Sequence, residues 1–116
     1  MITKMNPEIK PLLIAALRSG TYKQGRAALS SDDGFCCLGV ACDIHRLMHP
    51  GMEFESSDIG TDTRSYLGCM HTLPAVVGEW AGLNDVGNIP GVGSLAFFND
   101  HGSSFSEIAD IIEKHL

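Results

Sequence analysis

The sequence has no uninterrupted apolar run near the roughly 20 residues that a membrane-spanning helix needs. Its opening residues, MITKMNPEIK, also lack the apolar segment of a secretory signal. Basic side chains are scarce, because 8 Lys and Arg stand against 14 Asp and Glu and give a formal net charge of −6. We therefore expect a cytoplasmic protein with no membrane partner, and an acidic chain argues against DNA as a partner.

Aromatic residues are also few, at 7% with a single tryptophan, although 44% of the 116 residues are hydrophobic. This content suffices for one modest core and not for two independent ones, so we expect residues 1–116 to form a single domain. A core of this size leaves little surplus stability. A homodimer is therefore a reasonable expectation, because association would bury further apolar surface.

Helical spacing of apolar residues predicts about four short helices. They are bounded by Pro, Gly or Ser signals and lie at about 7–19, 38–48, 73–81 and 104–116, with a further short candidate at 94–99. The last one is the most clearly marked, because Ser104 and Glu107 have the spacing of a capping box.

Between the first two helices, residues 22–29 and 35–37 flank an Asp-Asp-Gly turn and predict a small antiparallel β-hairpin. Residues 52–72 are polar and rich in turn signals, which predicts a variable surface loop that could include a short strand. Residues 84–93, NDVGNIPGVG, read as a connection. The predicted fold class is therefore α+β, with about four helices packed around the hairpin.

Four blocks of the sequence are similar to blocks found, in the same order, in a family of small bacteriophage and prophage proteins. They cover most of the chain and leave residues 52–72 as the variable part: LRSGTYKQGRAAL, DGFCCLGVACD, LPAVVGEWAGL and FFNDHGSSFSEIADIIE. The resemblance implies a phage or prophage accessory protein and no particular chemistry. Such accessory proteins often bind a host protein or sequester a nucleotide signal of host immunity, which would place this one in the host cell cytoplasm.

The best candidate for a ligand site is the basic segment between residues 18 and 26. It combines two guanidinium groups, an ammonium group, an amide and an aromatic ring: Arg18, Tyr22, Lys23, Gln24 and Arg26. Arginine can bind a phosphate through two parallel N–H···O hydrogen bonds, and tyrosine can stack on a base. The flanking Gly20 and Gly25 would allow a ligand to approach the backbone closely. The alternative interpretation is a solvated charged edge that pairs with the acidic remainder of the chain.

The cysteines also allow two interpretations. Cys42 and His45 lie three residues apart on a predicted helix and could share a zinc ion with Cys69 and His71. We favour the other interpretation, in which reduced cysteines pack as small hydrophobic side chains within the apolar run FCCLGVAC. Apolar surroundings raise the pKa of a thiol, so we predict no catalytic cysteine.

We therefore predict a non-enzymatic protein that binds a small anionic ligand. It is expected to have no cofactor and no catalytic residue. Two alternatives stay open. One is a protein-interaction module that inhibits a host protein, motivated by the loop at 52–72, and the other is a small zinc-stabilised domain.

Overall fold

Helix α2 (Cys37–Met48) lies at the centre of the computed structural model, which describes residues 4–56 and 63–116. Every residue from Cys37 to His45 is buried. The helix begins after Cys36, whose sulfur accepts a hydrogen bond from the backbone N–H of Gly39. A helix buried on nearly all sides has to be surrounded by other elements, and α2 contacts three helices and one strand.

The other helices in the described ranges are α1 (Lys10–Arg18), α3 (Ala75–Ala81), α4 (Leu95–Asp100) and α5 (Phe105–His115). Helix α1 packs chiefly along α5, while α3 and α4 pack on α2. The capping box predicted at the start of α5 is present, with reciprocal hydrogen bonds between Ser104 and Glu107. Across the described residues, no helix combines the length and apolar character that crossing a bilayer requires.

Short strands complete the α+β fold. The described residues contain a four-stranded antiparallel sheet in the order β2-β1-β4-β3, formed by β1 (Ser30–Ser31), β2 (Gly34–Phe35), β3 (Glu55–Ser56) and β4 (Thr63–Ser65). An antiparallel hairpin is present in this region, but its first strand lies at Ser30–Ser31 and not at 22–29, and its second strand ends at Phe35 before α2 begins. The hairpin forms one half of a larger sheet. The radius of gyration, 13.0 Å, agrees with the roughly 13 Å expected of one compact domain of this length.

Two segments differ from the sequence prediction. Residues 52–72, predicted as a surface loop that could include one short strand, supply two strands, β3 and β4, and the fully buried Tyr66, while 57–62 lie outside the described residues. The predicted connection at 84–93 contains a second small hairpin, β5 (Asn88–Ile89) paired with β6 (Gly93–Ser94). Strands of two or three residues are too short to show the alternation of apolar and polar residues that predicts a strand.

The side chain of Asn99 on α4 joins three separate segments in the core. Its Oδ1 accepts hydrogen bonds from Gln24 Nε2 at 3.0 Å and from the backbone N–H of Cys37 at 3.1 Å. Its Nδ2 donates to the backbone carbonyl of Gly25 at 2.8 Å. Asn99 is fully buried, so these bonds replace the water that the amide loses on folding.

Gly39 brings the start of α2 against the backbone of the segment that leads into β1. A Cβ atom at this position would lie 1.7 Å from the carbonyl oxygen of Leu29. Real contacts are never this close, so any side chain would force the helix away from its neighbour.

We expect Gly39→Ala to lower the free energy of unfolding by about 3 kcal/mol, because overpacking outweighs the better helix propensity of alanine. Gly20→Ala is the matched control: Gly20 has a φ of 75° but no atom within 4 Å of an added Cβ, so only backbone strain of about 1 kcal/mol is expected. Urea denaturation of both variants measures the difference. Equal losses would contradict the close approach.

Candidate functional site

The side chains of the predicted basic segment contact different neighbours. Arg18, in the last turn of α1, forms ion pairs with Asp110 at 2.7 Å and with Glu113 at 3.3 Å on α5. This arrangement is the charged edge of the alternative interpretation. The guanidinium of Arg18 thus joins two helices rather than facing a pocket.

Gln24 is also committed to the fold. Its Nε2 donates to Asn99 Oδ1 and to the Ser103 carbonyl at 2.8 Å, and its Oε1 accepts from the backbone N–H of Phe105 at 3.2 Å. Both amide hydrogens are therefore used inside the protein, and the predicted ligand-binding role of Gln24 receives no support from these contacts. The side chains of Lys23 and Arg26 are exposed.

Tyr22 contacts residues of a different site. Its hydroxyl donates a hydrogen bond to Asp43 Oδ2, and its ring packs edge-on against Phe35 at 5.2 Å between centroids. Asp43 and Phe35 line an open pocket of about 370 Å³ between α2 and the four-stranded sheet. We call this cavity the arginine pocket; its lining residues are Ser30, Ser31, Phe35, Asp43, Arg46, Glu53, Phe54 and Arg64.

Arg46 is held in the pocket by Asp43, one helical turn earlier on α2. The Nε and Nη2 atoms of Arg46 both lie 2.7 Å from Asp43 Oδ1, and this hydrogen bond raises the pKa of the guanidinium above its usual value. Tyr22 occupies the other carboxylate oxygen. Asp43 is therefore satisfied on both sides and fixes the orientation of Arg46.

Arg64 enters the pocket from β4. Its Nη2 donates to Asp32 Oδ1 at 2.7 Å, and its Nη1 lies 3.4 Å from the Ser30 hydroxyl. A guanidinium has five N–H donors, and in the described part of the chain these contacts engage two nitrogens of each arginine. Donors therefore remain on both arginines for a ligand.

Two phenylalanines form the apolar wall of the pocket. Phe35 and Phe54 pack edge to face with centroids 5.8 Å apart, and Phe54 also rests against the buried ring of Tyr66 at 5.0 Å. Both are only partly buried. Because both rings keep some exposed surface toward the pocket that they line, the wall can pack against the ring of a ligand.

Sequence reasoning did not single out the two arginines of this pocket. Asp43 and Arg46 are three residues apart on a helix, which is a local signal for an ion pair. No local pattern links Arg64 to them, because the pairing of β4 with β1 brings it to the pocket. Of the predicted ligand residues, Tyr22 alone is connected to the pocket, through Asp43.

The two histidines of the zinc alternative have other partners. His45 is buried and its Nδ1 lies 2.7 Å from the Tyr66 hydroxyl, while His71 Nδ1 lies 3.0 Å from the carbonyl of Ala27. Burial lowers the pKa of His45, and the adjacent His49 lowers it further. Within 4–56 and 63–116, no group of three or more His, Cys, Asp or Glu side chains is arranged to hold a metal ion. The structure thus gives no support to Cys42, His45, Cys69 and His71 as a zinc site.

The buried thiols are kept protonated. Burial raises the pKa of Cys36 to about 11, and it raises the pKa values of Cys37 and Cys42 as well. A thiol of this kind is a poor nucleophile at neutral pH, because the reactive species is the thiolate. These cysteines therefore contribute packing to the core.

Residues 5–116 match the family model described as Domain of unknown function (DUF8296), so the chain belongs to this family. The match includes every residue of the arginine pocket. Comparisons with curated proteins and with solved structures found no match. The resemblance to phage and prophage proteins stays a prediction, because the family description names neither a source nor an activity.

We expect the free energy of unfolding to fall as pH rises above about 8.5, where an unfolded thiol ionises. The folded pKa values are raised, so in this range the unfolded chain releases protons that the folded chain keeps. The loss is up to about 1.4 kcal/mol per pH unit for each buried thiol, and for Cys36 it continues to a pH of about 11.

Urea denaturation under reducing conditions at pH 7.5 and 9.5 measures this dependence. Cys42→Ala removes one of the titrating groups, so its stability should fall less steeply with pH than that of the parent protein. The same slope in both proteins would contradict the assignment.

Proposed function

We propose that this member of the DUF8296 family is a non-enzymatic binding protein that captures a small anionic ligand in the arginine pocket. The observation that carries the proposal is the convergence of Arg46 and Arg64, from a helix and from a strand, on one open cavity with a phenylalanine wall. Two guanidinium groups with donors to spare can bind a phosphate or carboxylate from two sides.

The serine hydroxyls of β1 and the aromatic wall support this proposal. Ser30 and Ser31 line the same cavity and can donate hydrogen bonds to an anion, and Phe35 and Phe54 can pack on an attached ring. The site also has a rigid base, because Tyr22 holds one oxygen of Asp43 and the other oxygen of Asp43 holds Arg46. An orienting partner of this kind reduces the conformational entropy that the Arg46 side chain loses when a ligand binds.

The biological role we propose is that of a phage or prophage accessory protein that sequesters a small anionic signal in the host cytoplasm. It rests on the resemblance of the four sequence blocks, and the four free thiols agree with a reducing compartment.

A protein-interaction module is the second candidate function. Leu47 and Met48 at the end of α2 are 63% and 51% exposed, and Val76 on α3 is 54% exposed. Apolar side chains of this size can serve as contacts for a host protein or for a second copy of this chain.

Isothermal titration calorimetry with inorganic phosphate and a panel of mononucleotides tests ligand capture. We expect at least one of these anions to bind, and Arg64→Ala to weaken it by about 10- to 100-fold through the loss of charged hydrogen bonds. The Arg64–Asp32 ion pair lies near the surface, with 36% and 67% of the two side chains exposed, so the variant should remain folded.

Arg18→Ala and Arg26→Ala are the matched controls, because each removes one guanidinium from outside the pocket. Both should keep the affinity of the parent protein. Absence of binding by every anion, or an equal loss in Arg18→Ala and Arg64→Ala, would contradict the proposal.

A further inference from the structure

The charges around the arginine pocket limit the kind of anion that it can hold. Arg46 and Arg64 face two carboxylates of the lining, Asp43 and Glu53, and Arg64 is also paired with Asp32. These five side chains carry two positive and three negative charges. An anion of high charge would therefore meet carboxylates as well as guanidinium groups, and only a modest negative charge is well matched.

The size of the cavity points in the same direction. A volume of about 370 Å³ lies near the lower end of the range of roughly 300–1,000 Å³ found for small-molecule sites. One ring system with one anionic group suits such a space, whereas a long polyphosphate chain would extend past the arginines.

The two carboxylates of the lining differ in what they can offer to a ligand. Both oxygens of Asp43 are occupied, by Arg46 and by Tyr22. Glu53 is exposed at the edge of the cavity, on the same segment as Phe54. An ionised carboxylate only accepts hydrogen bonds, so Glu53 selects a ligand that presents N–H donors next to the aromatic wall.

We propose, on the basis of the ligand capture proposed above, that the arginine pocket selects a guanine nucleotide with a single phosphate. The phosphate binds between Arg46 and Arg64, and the purine ring packs on Phe35 and Phe54. The adjacent N1–H and N2–H groups of guanine then donate to the two oxygens of Glu53. Adenine presents an acceptor at N1 beside its amino group, so it would place a lone pair against the carboxylate.

Calorimetric titrations with GMP, AMP and GTP test this selection in the full chain. GMP should bind about tenfold more tightly than AMP, because the charged hydrogen bonds to Glu53 are lost with adenine. GMP should also bind more tightly than GTP, since the two additional phosphates add charge and length.

Glu53→Gln provides a readout that a purely structural role would not give. Replacing the carboxylate with an amide should weaken GMP by about tenfold, because the charged hydrogen bonds to guanine are lost. It should strengthen AMP, because the glutamine amide can donate to adenine N1 and accept from the adenine amino group. Glu55→Gln, two residues along on β3 and outside the pocket lining, is the matched control and should leave both affinities unchanged.

The outcomes separate this inference from the ligand capture on which it rests. If GTP or AMP binds as tightly as GMP while Arg64→Ala still weakens binding, the selection is wrong and the capture of anions stands. Movement of both affinities in the same direction in Glu53→Gln would also overturn the selection. If phosphate and all three nucleotides fail to bind, both proposals fail.

Discussion

The buried amide of Asn99 is the constraint on which the arrangement of this domain depends. It bonds to the segment at Gln24 and Gly25 on one side and to the first residue of α2 on the other. Loss of this amide would leave several buried backbone and side-chain groups without partners, each at a cost of about 1–3 kcal/mol. In 4–56 and 63–116, no buried side-chain nitrogen or oxygen lacks a hydrogen-bond partner, so the network is complete.

The arginine pocket is a consequence of this arrangement. Anchoring the start of α2 fixes the direction of the helix, and therefore the position of Asp43 and Arg46 two turns later. The segment held by Gln24 also carries Tyr22, which reaches Asp43 from the other side. One polar network in the core thus sets both the guanidinium on α2 and the group that orients it. The second guanidinium, on β4, reaches the site through sheet pairing.

The helices could be predicted from sequence because their signals are local. Ser104 and Glu107 mark the start of α5, and the apolar spacing from Leu38 to Met48 marks α2, which extends one residue further at its start. The pairing of β4 with β1 and the arginine pocket depend on contacts between distant residues, and no short window of sequence contains them. The basic segment was predicted to be a ligand site because its charges are adjacent in sequence. In the structure, the side chains of Arg18 and Gln24 join helices and turns instead.

The location of the anion site is the central claim, and NMR of the arginine side chains tests it most directly. Titration of uniformly ¹⁵N-labelled protein with GMP would report on each Nε–Hε group. The signals of Arg46 and Arg64 should shift with saturation at a common affinity, while those of Arg18 and Arg26 stay in place. Shifts confined to Arg18 and Arg26 would contradict the account and would indicate that the ligand binds at the basic segment.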